Sequence, residues 1–278
     1  MAGIDRMETT EARATDDTAS LSRLLTDRRS CRGFLPEPIP RETITHVLDL
    51  ARQSPSWCNT QPWQVLITEG DGTECFRAAL AGHVASAELT PDFSFPSQYS
   101  GVYRDRRREC GFQLYESVGV ARGDRAASAK QAAKNFELFS APHAAIVTTE
   151  AELGVYGAVD CGLYVQTFLL AAQSLGLGAI PQAALAGYAP FIREHFGLPE
   201  NRLVVCGISF GWPDHDHPAM ASGPTGLPSR RLSPGSPDKS VAPTLRARIP
   251  PTPPSGRRKL QEWRRSRLPR PRARRPAV

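Results

Sequence analysis

The chain has no run of 18 consecutive apolar residues, which excludes a membrane-spanning helix by that test. Its first twenty residues carry Glu8, Glu11, Asp16 and Asp17 and no apolar stretch, so they are not a secretory signal. The six cysteines (31, 58, 75, 110, 161 and 206) are scattered and form no CxxC pair, which points to reduced thiols and a cytoplasmic protein. None of the six histidines sits in HExxH or in paired metal-ligand spacing, and no metal is expected. There is no GxSxG elbow, no Walker A motif and no GxGxxG fingerprint. No acid–base pair stands out either, so no catalytic residue is singled out.

What is present is 278 residues, 40% of them hydrophobic, which suits one large domain or two small ones with a real core. The net charge of +6 averages two unlike pieces. Residues 1–218 hold 19 Lys+Arg against 26 Asp+Glu, a net of −7; residues 219–278 hold 15 against 2, a net of +13, with 12 of the 25 prolines. Such a composition predicts a disordered polar arm over 1–20, a folded domain over 21–218 and a basic, disordered Pro/Arg-rich tail over 219–278.

Within the domain, spacing predicts helices over Ser22–Arg29, Pro40–Gln53, Gly72–Gly82, Tyr103–Gly119, Asp124–Phe139, Tyr156–Leu175 and Pro190–Phe196. Short β-rich runs fall at Gln64–Glu69, Ala144–Thr149, Leu177–Pro181 and Arg202–Phe210. One sheet layered between helices follows, with strand direction left open.

Four segments have the character of ligand-contacting loops. Arg28, Arg29, Ser30 and Arg32 place three guanidinium forks and a hydroxyl within five residues, a set suited to phosphate oxygens; a solvated basic helix end is the reading that spacing alone favours. The stiff stretch Ser54–Trp63 offers the Asn59 and Gln61 amides, which match a heterocycle edge of mixed polarity, or merely shape a helix-to-strand turn. Pro181, Gln182, Ala183 and Ala184 end a strand in small residues that let a backbone approach a planar ligand, although Gly176 beside them also reads as a plain C-cap. The run Arg104–Arg108 either greets an anionic substrate or is a solvated face. Together they suggest a site for a phosphorylated planar heterocycle that carries the chemistry itself.

RRSCRGFLPEPI, ARQSPSWCNTQPW, YGAVDCGLYVQTFLLAAQSLGLGAIPQ and LVVCGISFGWPD, in that order, resemble the FMN-dependent nitroreductase family from about Leu24 to Pro218. RRRECGFQLYESVGVARGDR and NFELFSAPHAAI are similar to its nitrobenzoate-reductase branch. The resemblance implies an α+β fold, a central, mostly antiparallel sheet flanked by helices, and a homodimer with two FMN sites at the interface. It implies that Arg28, Arg29, Ser30 and Arg32 meet the flavin phosphate and pyrimidine side. Pro55, Ser56, Asn59 and Gln61 would reach the flavin from the partner subunit, and Pro181, Gln182, Ala183 and Ala184 would lie near the isoalloxazine N5. Many relatives have an acidic residue and Gly where this chain has Gln182 and Ala183. The implied activity is ping-pong reduction of nitroaromatics such as nitrobenzoates, with NADH or NADPH as electron donor. Alternatives are an FMN-poor remnant of the fold, or polyanion binding through the tail, without specific nucleic-acid recognition or a membrane.

The tail departs from the family at Ala219. Codons for Ala219–Gly226 can be written so that the neighbouring frame reads Asn-Gly-Phe-Arg-Thr-Asp-Arg, the family's usual ending, with a stop soon after. Residues 220–278 are therefore expected to be a frameshift product.

Overall fold

The computed structural model describes residues 2–221, with side chains from Thr15 onward. The expected tail lies outside the described residues, apart from its first few positions: Pro218–Ala221 form a short 3-10 turn in which Ala219 and Met220 are buried.

In chain order the elements are α1 (Ala2–Asp27), α2 (Arg41–Ala51), β1 (Gln64–Thr68), α3 (Asp71–Val84), α4 (Gly101–Ser117), α5 (Arg125–Ala133), β2 (His143–Glu150), α6 (Gly154–Ser174), β3 (Gly178–Gln182), α7 (Ala183–Ala186), α8 (Ala189–Phe196) and β4 (Arg202–Gly211). The four strands run in the order β1-β2-β4-β3, and every named pair is antiparallel. The expected α+β architecture, a mostly antiparallel sheet flanked by helices, is the one observed.

Helices cover both faces of the sheet, so β2 is buried along nearly its whole length and reads as a continuous apolar run. Ala145 and Val147 face α2 and α6, meeting Val47, Ala51, Phe168 and Ala172. Ala144 and Ile146 face the other way, toward Phe76, Leu80, Leu185 and Ile192. The same alternation breaks once in β4. A register shift between Val147 and Thr148 inserts an extra residue opposite them. Val204 therefore joins the α3/α8 side while Ile208 and Phe210 join the α2/α6 side.

Two elements differ from the sequence expectation. The polar arm over 1–20 and the helix over 22–29 form one helix, α1; no glycine or proline stands between Gly3 and Gly33 to interrupt it. The helix expected over 124–139 is capped at Asp124, whose carboxylate accepts the Ala127 N–H, and stops at Ala133. Leu138, Phe139 and Ser140 then take left-handed conformations (φ 55°, 52° and 61°), which turn the chain into β2 and bury Leu138 and Phe139.

By length and mean hydropathy (1.3) the stretch 151–174 would suffice to cross a bilayer. In the fold, α6 is the core helix, packed on α2, β2 and β3.

Candidate functional site

After α1 the chain runs alongside the edge strand β3. Ser30 pairs with Ala179 in parallel, and the Cys31 N–H donates to the Ala179 carbonyl at 3.1 Å. The approach is close because residue 178 is glycine: a Cβ there would lie 2.6 Å from the Cys31 sulfur. Burial pushes the Cys31 thiol up to about 11, so it is neutral at physiological pH and no nucleophile. Arg29 donates through Nη1 to the Met220 carbonyl at 2.8 Å, and Arg32 through Nη1 to the Ser30 carbonyl at 3.4 Å. Arg28, Arg29 and Arg32 have no carboxylate partner among the described residues. Arg32 is half-buried, and desolvation draws its pKa below the usual guanidinium value.

Pro181 and Gln182 end β3, and Ala183 and Ala184 open α7, so this segment belongs to the strand beside which the arginine segment runs. Gln182 itself turns inward and is buried. Its Oε1 accepts from the Ser209 hydroxyl at 2.5 Å, and its Nε2 donates to the Asn135 carbonyl at 2.8 Å. Its side chain is thus held by the fold, while Ala183 is exposed and Pro181 and Ala184 are half-buried.

The loop bearing Pro55, Ser56, Asn59 and Gln61 lies elsewhere. It leads into β1, the opposite edge of the sheet from β3, three strand spacings or about 14 Å away. One chain therefore brings the arginine segment and the β3–α7 corner together but leaves the third segment apart. The loop is tightly shaped. The buried Ser54 hydroxyl meets the Thr167 hydroxyl at 2.7 Å, and the Trp57 N–H donates to Asp160 Oδ2 at 3.1 Å. The Gln61 N–H donates to the Ser56 hydroxyl at 2.9 Å, and Gln61 Nε2 donates to Asn59 Oδ1 at 3.1 Å. Cys58, Asn59 and Gln61 all have positive φ (53°, 56° and 45°). The side chains of Asn59 and Gln61 face solvent.

Around this loop is an apolar surface. Trp57 is 59% exposed and its ring meets Tyr156 edge-on at 4.5 Å. Val155, Tyr156, Val159 and Leu163 expose the adjoining face of α6. A cavity of about 280 Å3 opens between Trp57, Thr60, Leu153, Tyr156 and Asp160.

The arginine run on α4 is exposed. Arg107 stacks over Tyr99 at 5.2 Å, and Arg108 and Arg122 flank Phe112 at 5.7 and 4.6 Å. Phe112, Tyr115, Arg122 and Ser128 line a cavity of about 340 Å3 there.

Sequence reasoning passed over Asp160, Asn135, Ser209 and the Met220 carbonyl. Only Asp160 carried a signal: it is the one charged residue in α6.

The Nitroreductase family model matches residues 25–212, a stretch that contains all three segments and ends with β4 and the residue after it. The chain belongs to the nitroreductase family. Among curated members, 4-nitrobenzoate reductase of Pseudomonas putida is 33% identical over 202 residues, 73% of this chain and 88% of that protein. Nitroreductase NfnB of Mycolicibacterium smegmatis is 35% identical over 204 residues, 72% of this chain and 85% of that protein. Among solved structures, FMN-dependent NfnB from Mycobacterium smegmatis in complex with NADPH superposes with a TM-score of 0.74 at 31% identity, covering 79% of this chain and 99% of that one. The family membership agrees with the resemblance carried by the sequence motifs.

Proposed function

We propose that the chain is an FMN-dependent NAD(P)H oxidoreductase that reduces nitroaromatic compounds, nitrobenzoates among them, as a cytoplasmic homodimer with a ping-pong mechanism. The observation that carries this reading is the cluster Arg28, Arg29 and Arg32, three guanidinium groups without a carboxylate partner among the described residues, two of them (Arg28 and Arg32) half-buried. A half-buried cation with no counter-charge among the described residues calls for an anion, and forked donors around Ser30 suit a phosphate monoester. The residues therefore fit FMN.

When bound, FMN supplies the redox chemistry, accepting hydride from the nicotinamide and delivering two electrons to the nitro group. The arginines, permanently charged, anchor the phosphate and do not shuttle protons. The exposed Ala183 and half-buried Pro181 and Ala184 leave room for a planar ring beside the β3–α7 corner, with Gln182 stiffening that corner from behind. Asn59 and Gln61, mutually bonded and facing outward, present amide donors and acceptors to a ring edge belonging to the other protomer. The homodimer is supported by the separation of the two halves of the site within one chain, and by the exposed apolar face of Trp57, Val155, Tyr156, Val159 and Leu163. Six free cysteines accord with a reducing compartment.

The test is to purify the full-length chain, add FMN, and follow NADH and NADPH oxidation against 4-nitrobenzoate and other nitroaromatics. A flavin absorbance band that stays with the protein and nitro-dependent turnover are expected. A colourless protein that binds no added FMN refutes the reading.

A further inference from the structure

We infer that Asp160 is a positioning residue that holds the 56–61 loop in the shape in which Asn59 and Gln61 meet the flavin of the partner subunit; the inference rests on the FMN reading above.

Asp160 is the one charged side chain in a helix of 21 residues, and it is only 5% exposed. Burying a carboxylate is costly unless donors meet it. Among the described residues its hydrogen-bond donor is the Trp57 N–H, at 3.1 Å. That bond falls where the loop changes character. Ser56 is extended (φ −142°, ψ 157°), whereas Cys58, Asn59 and Gln61 are left-handed. Left-handed residues other than glycine are strained and persist only where the surroundings over-determine them. Here the surroundings are few, since Cys58, Asn59, Thr60 and Gln61 are all exposed.

The remaining ties do not replace Asp160. The Ser54–Thr167 hydroxyl contact fixes the loop's entry, ahead of the left-handed run. Ser56 with Gln61, and Gln61 with Asn59, tie the loop only to itself. Asp160 thus makes the hydrogen bond that fastens the centre of the loop to α6, through a carboxyl oxygen that is almost fully buried. The Trp57 ring rests on Tyr156 independently of it, so the apolar face survives loss of the carboxylate. Without the bond, Cys58–Gln61 can relax toward ordinary φ values, and the two amides are no longer offered side by side.

The experiment compares FMN dissociation constants of the full-length wild type, Asp160→Ala and Asp160→Asn by titration of flavin fluorescence. Thermal melts of the FMN-free proteins and size exclusion are run alongside. Asp160→Ala is expected to raise the Kd about tenfold with an unchanged elution volume. Asp160→Asn, whose amide oxygen accepts the same N–H, is expected to stay within about threefold of wild type. Should the alanine chain not fold, Asp160→Ser, whose hydroxyl stops short of Trp57, takes its place. Wild-type affinity in the alanine or serine variant overturns the inference. So does a loss of affinity accompanied by dissociation to monomers, or one the asparagine variant shares in full. A wild-type chain that binds no FMN overturns the flavin reading and this inference with it.

Discussion

Gly178→Ala tests the seam between the arginine segment and β3 most directly. The added methyl would meet the Cys31 sulfur at 2.6 Å, the Cys31 Cβ at 2.9 Å and the Pro213 Cβ at 3.2 Å. None of these can swing aside easily: Cys31 is 1% exposed, and its backbone is bonded to Ala179. Gly178 has an ordinary negative φ, so any effect is steric and not a matter of glycine's conformational freedom. Overpacking of this kind costs about 1–3 kcal/mol, a fall in Tm of roughly 2–12 °C for a domain of this size. The strain is expected to be relieved by moving Ser30–Arg32 off the strand, so FMN affinity should fall together with Tm. Cys31→Ala removes the nearest of the three contacts. In a double-mutant cycle the two substitutions should couple favourably by roughly 0.5–2 kcal/mol, with Tm and FMN Kd of the double variant both lying closer to wild type than those of Gly178→Ala alone. A Gly178→Ala protein with wild-type Tm and wild-type FMN Kd would refute the reasoning.

Arg32→Met removes a half-buried charge that lacks a carboxylate partner among the described residues. It should leave the FMN-free protein as stable as wild type or more so, while weakening FMN about tenfold or more, measured by melts and fluorescence titration. His143 is 1% exposed; its Nε2 accepts the Ile39 N–H at 2.9 Å and its Nδ1 faces the Thr68 carbonyl at 3.1 Å, which suits the neutral ring. Burial lowers its pKa, so its contribution is complete above the unfolded value of about 6.5 and is lost as pH falls from there toward the folded value. Melting curves from neutral to mildly acidic pH should therefore slope less steeply in His143→Gln than in wild type. Val159→Arg puts a charge into the exposed face of α6; if the proposed homodimer uses that face, size exclusion should show a monomer, with FMN affinity falling in step.

Much of this was legible along the chain because it depends on neighbours in sequence. The four strands fall within a residue or two of their expected positions, since Ala144–Val147 and Ile208–Phe210 announce buried β structure by composition. The family was legible by ordered motifs, and the arginine cluster was legible as a candidate anion site, which the proposed function assigns to the flavin phosphate. The left-handed turn at Leu138–Ser140 was not, because residues of ordinary helical and apolar character are held there by the core they enter. Nor was the role of Gln182. An amide at a strand end reads the same whether it faces a ligand or, as here, Ser209 and Asn135.

Local order thus follows from polarity, spacing and propensity, properties each segment carries with it. Strand order, the β4 register shift and the distance between Arg28–Arg32 and Asn59–Gln61 come from contacts between residues tens to more than a hundred positions apart. Those pairings are chosen by how all the buried faces pack at once, and no segment contains that information alone. The motifs thus named the cofactor. The folded sheet places the two halves of the proposed site on opposite edges, and in that proposal a second subunit completes it.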